Sequence, residues 1–305
     1  MSTPSATKES SSEKIFLLNT REISAVRDAL KQHGAVVVRA GATLNDFESL
    51  SDGLITPMVH HSTSTTVERD AVNADGTTAT VNKGMDYIPL HREGSYAPGC
   101  PDLLMLYCVR PADPTDPGGQ TNLCDGVELL DALPANTQKF VNDAVLKWSW
   151  SATPERWRAS LGVDSKEAAL KRLKLMTARL PSWEKLEAEF EGDVLKGIFQ
   201  TLCVIPTRWG RNRSFCNSLL IYHYRQATEF YPKHQYIPTL SDGSPFPHDL
   251  LEEISGYANE RTHSTHWQAN DVLIFDNSRY MHGRTGFKDT RRQILVRMGH
   301  VKGEQ

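Results

Sequence analysis

The strongest constraint on this chain is a set of apolar runs too long for loops and far too short for membrane spans. Leu103-Leu104-Met105-Leu106-Tyr107-Cys108-Val109 carries no charge at all, and Val272-Leu273-Ile274-Phe275 and Ile294-Leu295-Val296 repeat the pattern near the C-terminus. Such runs lack the polar alternation of a half-exposed strand, so they read as strands covered on both faces. A chain with buried strands near its middle and its end is expected to gather them into one β core, with helices as outer layers.

The flanking segments say what covers that core. Ile15–Leu18 is strand-like, Thr20 can cap a helix with Ile23, Val26 and Leu30 at helical spacing, and Gly34 stands where a left-handed C-terminal residue belongs. Ala35–Val38 then reads as a buried strand, and Thr43 caps a second helix through Leu44, Phe47, Leu50 and Leu54. Pro111 to Gly119 is a loop, and Gln120–Cys124 a strand. From Leu133 onward Pro134 suits a helix start and Glu167–Met176 is built of good helix formers, so about 133–200 reads as a mostly helical insertion. Strands resume at Thr201–Pro206, Ser214–Leu220, Asp271–Phe275 and Gln293–Val301. The expectation is an α+β fold, with residues 1–14 a disordered N-terminus and 15–305 a single domain.

Composition narrows the function classes. The 305 residues carry a net charge of -3 with pI about 6.4, and no Lys/Arg run is concentrated enough to track nucleic acid or an anionic membrane. Five cysteines without a CxxC pair argue against a disulfide framework and a structural zinc site. The polar N-terminus has no signal-peptide core, and no apolar run reaches the roughly 18 residues of a span. A cytoplasmic protein acting on a small molecule is expected; oligomeric state is not legible.

Three places carry chemistry. His91-Arg92-Glu93 puts an imidazole and a carboxylate on one side of an extended segment. With 11 His and 37 acidic residues in the chain, roughly one such triplet arises by chance, so the pattern gains weight only from its place beside the apolar strand. Tyr280-Met281-His282-Gly283-Arg284 follows the second buried run, which suits a metal ligand at a strand end. Arg297 lies on the strand Gln293–Met298 that holds the third run, where a charge is costly unless it meets an anion, and its planar fork matches a carboxylate.

Taken in order, His91-x-Glu93, then Gly118-Gly-Gln-Thr-Asn-Leu-Cys-Asp-Gly126, then Met281-His-Gly-Arg284, then Arg297, the chain resembles the TauD/TfdA family of 2-oxoglutarate dioxygenases. The His-x-Glu form is similar to clavaminate synthase and to amino-acid β-hydroxylases of that clan. The resemblance spans about residues 15–301 and is poorest in the insertion. It implies a double-stranded β-helix (jelly-roll) core, with His91, Glu93 and His282 as the facial triad for Fe(II), and with 2-oxoglutarate and O2 completing the site. It further implies an Arg for the far carboxylate of 2-oxoglutarate, with the Thr121 hydroxyl as a second donor. Many relatives carry that Arg where, counted without gaps, Gln293 stands here. Arg297 shares the strand parity of Gln293 and is favoured over Arg292 on that ground.

Retention of Glu93 speaks against halogenation, since halogenases of the clan lose this carboxylate. Hydroxylation of an unactivated carbon is the expected outcome; desaturation on the same iron site and a non-redox metal-binding jelly roll stand as alternatives. For the substrate, a small polar, amino-acid-derived or carboxylated metabolite, the candidate contacts are Tyr96, Arg211, Arg213, Asn217 and Arg284, with Tyr222 and His223 beside them. His60 and His61 are adjacent on a strand, point apart and receive no metal role.

Overall fold

The computed structural model describes residues 15–59, 69–228 and 237–303; the N-terminal tail and the His60-His61 pair lie outside the described residues. In chain order the elements are β1 (Phe16–Leu18), α1 (Ile23–His33), β2 (Ala35–Val38), α2 (Leu44–Leu54), β3 (Ile55–Pro57), β4 (Ala79–Thr80), β5 (Ile88–His91), β6 (Leu103–Arg110) and β7 (Thr121–Asp125). There follow α3 (Gly126–Ala132), α4 (Ala135–Asp143), β8 (Val145–Ala152), α5 (Pro154–Leu161), α6 (Lys166–Thr177), β9 (Lys185–Glu191) and β10 (Val194–Leu202). The chain closes with β11 (Ile205–Pro206), β12 (Arg213–Ser214), α7 (Leu219–Thr228), β13 (Ile237–Leu240), α8 (His248–Glu260), β14 (Thr262–Thr265), β15 (Val272–Asp276), β16 (Tyr280–Arg284) and β17 (Gln293–Val301).

The three apolar runs are neighbours in one sheet. Its strand order is β1-β2-β15-β6-β17-β3, with β4 added beside β17. A second sheet, β14-β7-β16-β5, is antiparallel throughout. Leu104, Leu106, Phe275, Ile294, Val296 and Met298 of the first sheet pack with Leu123 of the second, so a dry core joins the two. On its other side the first sheet packs Met105, Tyr107, Ile274 and Leu295 against Val26, Leu30, Phe47 and Leu50 of α1 and α2. Both faces of β6, β15 and β17 are thus covered, which is why these strands need no polar alternation.

The local signals at the N-terminus match the helix ends. Gly34 is left-handed (φ 74°) and its N–H donates to Leu30 O, closing α1. Thr43 and Asp46 form a reciprocal capping box at α2. Thr20 does not cap α1; its hydroxyl accepts from Glu22 N, and Glu22 takes the cap position.

Two expectations need correction. The insertion is not mostly helical: β8, β9 and β10 join β13 in a four-stranded antiparallel sheet, order β13-β8-β10-β9. Trp148, Trp150 and Leu146 alternate with polar residues along β8, and along β10 burial alternates, with Leu195 and Phe199 on the buried side. Period-2 patterning of this kind signals strands, and helix propensity around Glu167 extends only over α6. Similarly, Ser214–Leu220 is not a strand. Only Arg213–Ser214 pairs, with β11, and Leu219 already begins α7 because Asn217 Oδ1 accepts from Leu219 N.

Candidate active site

The site begins with a strand pairing. In the β16–β5 ladder His282 lies opposite His91, so residues from distant parts of the chain become cross-strand neighbours. Their ring centroids are 4.3 Å apart. Gly283 makes this approach possible: a Cβ there would stand 2.5 Å from Ile88 O. The ladder shifts register between His282 and Arg284, which re-aims the last residues of β16.

Glu93 is placed by a different device. β5 ends at His91, and the next two residues are clamped from outside the sheet. Arg92 N donates to Asn217 O, and the Ser218 hydroxyl donates to Arg92 O. Glu93 N donates to Asn277 Oδ1 at 3.0 Å, while Asn277 Nδ2 donates to Glu93 O at 3.0 Å and to Pro101 O at 2.9 Å. Asn277, wholly buried between β15 and β16, thereby ties the carboxylate's backbone to the strand connection that leads to His282.

One ligand atom from each of His91, Glu93 and His282 falls within 4.8 Å of the other two. Glu93 Oε2 is 4.0 Å from His91 Nε2 and 3.7 Å from His282 Nε2. Pro89 O lies 2.9 Å from His91 Nδ1, which orients that ring. His282 Nδ1 is buried and has no partner among the described residues. Arg69 Nη2 is 3.3 Å from Glu93 Oε2.

The electrostatics favour metal-ready ligands. Burial would raise Glu93, but the Arg69 guanidinium and the two imidazoles outweigh it and hold the carboxyl at about 2. Burial, then the neighbouring His91, draws His282 down to about 3. At neutral pH the carboxylate is ionised and His282 neutral, the forms that bind a divalent cation. A first-row ion at about 2.1 Å from each atom requires only a modest contraction of this triangle. The donor set fits iron(II).

Behind the triad a narrow cavity opens between the two sheets. His91, His282, Thr121, Arg284 and Arg292 line it with Leu104, Leu106 and Val296, and Arg69 and Asn82 stand at one side; none of the lining residues is acidic. Arg292 and Arg284 flank the Phe287 ring, with guanidinium carbons 4.9 and 5.1 Å from its centroid. Arg284 donates to Asn82 O and Asp86 O, and Arg292 Nε donates to Gly119 O at 2.8 Å. Burial, then the charge of Arg284, pulls Arg292 down to about 10, still protonated at neutral pH. Arg292, half-buried, makes no ion pair among the described residues and lines the cavity as a cation. Thr121 Oγ1 accepts from Trp267 Nε1 at the same end.

Arg297 does not enter this cavity. Its side chain crosses to the helix side of the sheet, where Nη2 meets Asp52 at 2.6 Å and Nη1 lies 3.6 Å from Glu48, both on α2. Along β17, residues 294, 296 and 298 face the second sheet and Leu295 faces the helices, so the parity chosen from the sequence is the outer one. An ungapped count is also unsafe here because β17 shifts register against β6 between Gln293 and Ile294. The carboxylate anchor suggested by this geometry is Arg292.

The substrate candidates divide. Arg284 lines the cavity. Arg211 and Arg213 lie on the exposed β11–β12 hairpin; Arg211 has φ 55°, and Arg213 donates to Asn142 O. Asn217 is buried, with its amide donated to Cys203 O. Tyr96 packs at the margin of the core, and Tyr222 stands on α7. Sequence reasoning missed Arg69, Asn82 and Asn277. Asn277 was detectable as an amide at a strand end following an acid; Arg69 carried no local signal.

Comparisons with known proteins bear on the family and the fold. The model of the family described as taurine catabolism dioxygenase TauD, TfdA family matches residues 4–298. The chain belongs to the TauD/TfdA family. It is accordingly an Fe(II)/2-oxoglutarate-dependent dioxygenase, with iron(II), 2-oxoglutarate and dioxygen as the reactants of that family. Among solved structures it resembles a taurine dioxygenase from Burkholderia xenovorans at 16% identity, TM-score 0.56, covering 93% of this chain and 81% of that one. AAD-2 in complex with Mn(II) and N-oxalylglycine matches at 16% identity and TM-score 0.55, over 96% of this chain and 95% of that chain. PvcB, an Fe, alpha-ketoglutarate dependent oxygenase from an isonitrile synthetic pathway, matches at 12% identity and TM-score 0.53, over 94% and 82%. At these identities the likeness is one of fold. No curated protein matches the chain. Among the described residues no helix is long and apolar enough to cross a membrane.

Proposed function

We propose that His91, Glu93 and His282 hold the iron(II) of this TauD/TfdA dioxygenase, and that Arg292 with Thr121 receives the far carboxylate of 2-oxoglutarate. The observation that carries the reading is the cross-strand pairing of His91 with His282, with Glu93 pinned by Asn277 within reach of both. The two facing sheets are read as the double-stranded β-helix core. Bound there, iron(II) with 2-oxoglutarate and dioxygen supplies oxidative decarboxylation to succinate and carbon dioxide, and an oxidant strong enough for an unactivated C–H bond.

The chain's own residues position and exclude. The Pro89 carbonyl and the Asn277 amide fix His91 and Glu93 so that little reorganisation accompanies metal binding. Arg292 offers terminal N–H groups to a carboxylate in a half-buried place where an ion contact counts more than in open water. Leu104, Leu106 and Val296 form the dry wall along the cosubstrate. Hydroxylation is the proposed outcome, on a small substrate with an anionic group, a carboxylated or amino-acid-derived metabolite. What supports the anionic group is the charge of the lining: Arg284 stands there in addition to the cosubstrate anchor Arg292, and no lining residue is acidic.

Anaerobic addition of Fe(II) and 2-oxoglutarate to the purified chain is expected to produce a weak visible charge-transfer band. Glu93→Ala and Arg292→Ala should each remove it, and Arg297→Ala should not. A band that survives Arg292→Ala and vanishes with Arg297→Ala would return the anchor to Arg297. No band in the wild-type protein would defeat the metal assignment.

A further inference from the structure

A second group of ligand-type side chains converges away from the cavity, where α7 meets α8. His223 lies on α7 one turn beyond the buried Leu219, and His248 and Glu252 lie one turn apart on α8. The His223 and His248 ring centroids are 4.9 Å apart at 63°, and His248 Nδ1 is 3.8 Å from Glu252 Oε1. One donor atom from each of the three lies within 4.8 Å of the other two.

The His248–Glu252 separation is too long for a hydrogen bond, yet the three donor atoms gather within the span of one ion's ligand shell. The supports are firm. Leu251, Ile254 and Ala258 seat α8 in the core, and Leu219, Leu220 and Ile221 seat α7. Positions 248 and 252 are i and i+4 on one face of α8, so their side chains share a side by helix geometry alone. His248 and Glu252 are well exposed, each 63% by side chain, and can adjust rotamers to close on an ion.

We propose that His223, His248 and Glu252 form a second cation site, separate from the His91–Glu93–His282 triad, which takes Zn(II) and ties α7 to α8. Two imidazoles and one carboxylate are borderline donors that suit zinc at about 2.0–2.2 Å, with water in the fourth position. Calcium and magnesium demand oxygen-rich sets that these residues do not offer. Burial and the neighbouring His248 lower the pKa of His223, against the raising effect of Glu252, so its ring is offered neutral.

The site has a route to the catalytic segment. The Asn217–Ser218 stretch that leads into α7 clamps the Arg92 backbone, and Tyr224, next to His223, packs edge-on against Tyr87 just before β5. An ion on His223 therefore restrains the helix that supports the His91–Glu93 segment.

Zinc titration of the full metal-free chain, with a competing chelator and metal analysis, tests this directly. Wild type is expected to retain two equivalents, and His248→Ala and Glu252→Ala one each; both side chains are exposed, so these variants should keep the wild-type circular dichroism. His91→Ala should also retain one, and the double variant His91→Ala/His248→Ala none. Zinc should raise the Tm of His91→Ala by several degrees but leave that of the double variant unchanged. If the triad held no metal, wild type would bind one equivalent that His248→Ala abolishes and His91→Ala spares, and the second site would stand. Undiminished zinc in both His248→Ala and Glu252→Ala would overturn it, as would a single wild-type equivalent lost in His91→Ala.

Discussion

Replacing Asn277 by Ala is the sharpest test of how the site is built. The side chain is fully buried and makes three hydrogen bonds, one accepted from Glu93 N and two donated, to Glu93 O and Pro101 O. Each such bond contributes about 1 kcal/mol net, whereas a buried group left unsatisfied costs roughly 1–3 kcal/mol. Three backbone groups would be orphaned, an upper bound of about 9 kcal/mol at those rates. Water can enter the space vacated by the amide and satisfy part of this, so a loss of about 3–4 kcal/mol is expected, large for one substitution. Urea denaturation of the metal-free protein measures it as a fall in midpoint at unchanged m-value. The loss should come with at least about tenfold weaker Fe(II) binding, as for other groups that orient a ligand. Asn277→Asp separates the contributions: it keeps the acceptor for Glu93 N–H but turns an acceptor towards two carbonyls, so it should be as harmful as Ala. A stability change below about 1 kcal/mol, together with wild-type metal affinity in either variant, would refute the view that this amide sets the position of Glu93.

The remaining expectations are simpler. Arg292→Ala should weaken 2-oxoglutarate binding about a hundredfold by calorimetry, the order lost when a buried charge partner is removed, while Arg297→Ala lowers Tm and leaves that binding intact. Gly283→Ala puts a methyl group 2.5 Å from Ile88 O and forces β16 off β5; a loss of about 1–3 kcal/mol by denaturation is expected, and an unchanged Tm would mean the strands separate without strain. For pH, folding lowers the pKa of His282 from 6.5 to about 3 and of Glu93 from 4.5 to about 2. The unfolded chain therefore binds more protons in these windows. The metal-free protein should be most stable above pH 6.5 and lose stability on acidification, first through His282 and below pH 4.5 through Glu93 as well, with a slope near about 1.4 kcal/mol per pH unit for each proton taken up. Replacing His282 with Gln should flatten the limb between pH 6.5 and 4.5, and an unaltered limb there would assign it to other groups.

Parts of this protein are legible in its sequence, for reasons local to the chain. Capping at Thr43 and the left-handed Gly34 are decided by one or two residues, so their helix ends follow from sequence. The strands β6, β15 and β17 announce themselves because burial on both faces removes nearly every polar position. The insertion shows the opposite case: Trp148 and Trp150 alternate with serines, but the good helix formers around Glu167 drew the whole segment towards helix. Exposure was not legible at Arg211 and Arg213, which look like a binding cluster in sequence and stand on an exposed hairpin in space.

By itself the sequence determined which residue types could bind a metal and roughly where the buried strands run, because both depend on side-chain chemistry and short-range periodicity. Only the tertiary structure decided which of them meet. The register of β16 on β5 sets His282 against His91, and a backbone clamp from Asn277, far along the chain, places Glu93. The packing of α2 on the first sheet gives Arg297 to Asp52 and leaves Arg292 for the cavity. Strand alternation states that neighbouring residues face opposite sides; which side is the cavity depends on what packs against each face, and that is a property of the assembled sheets.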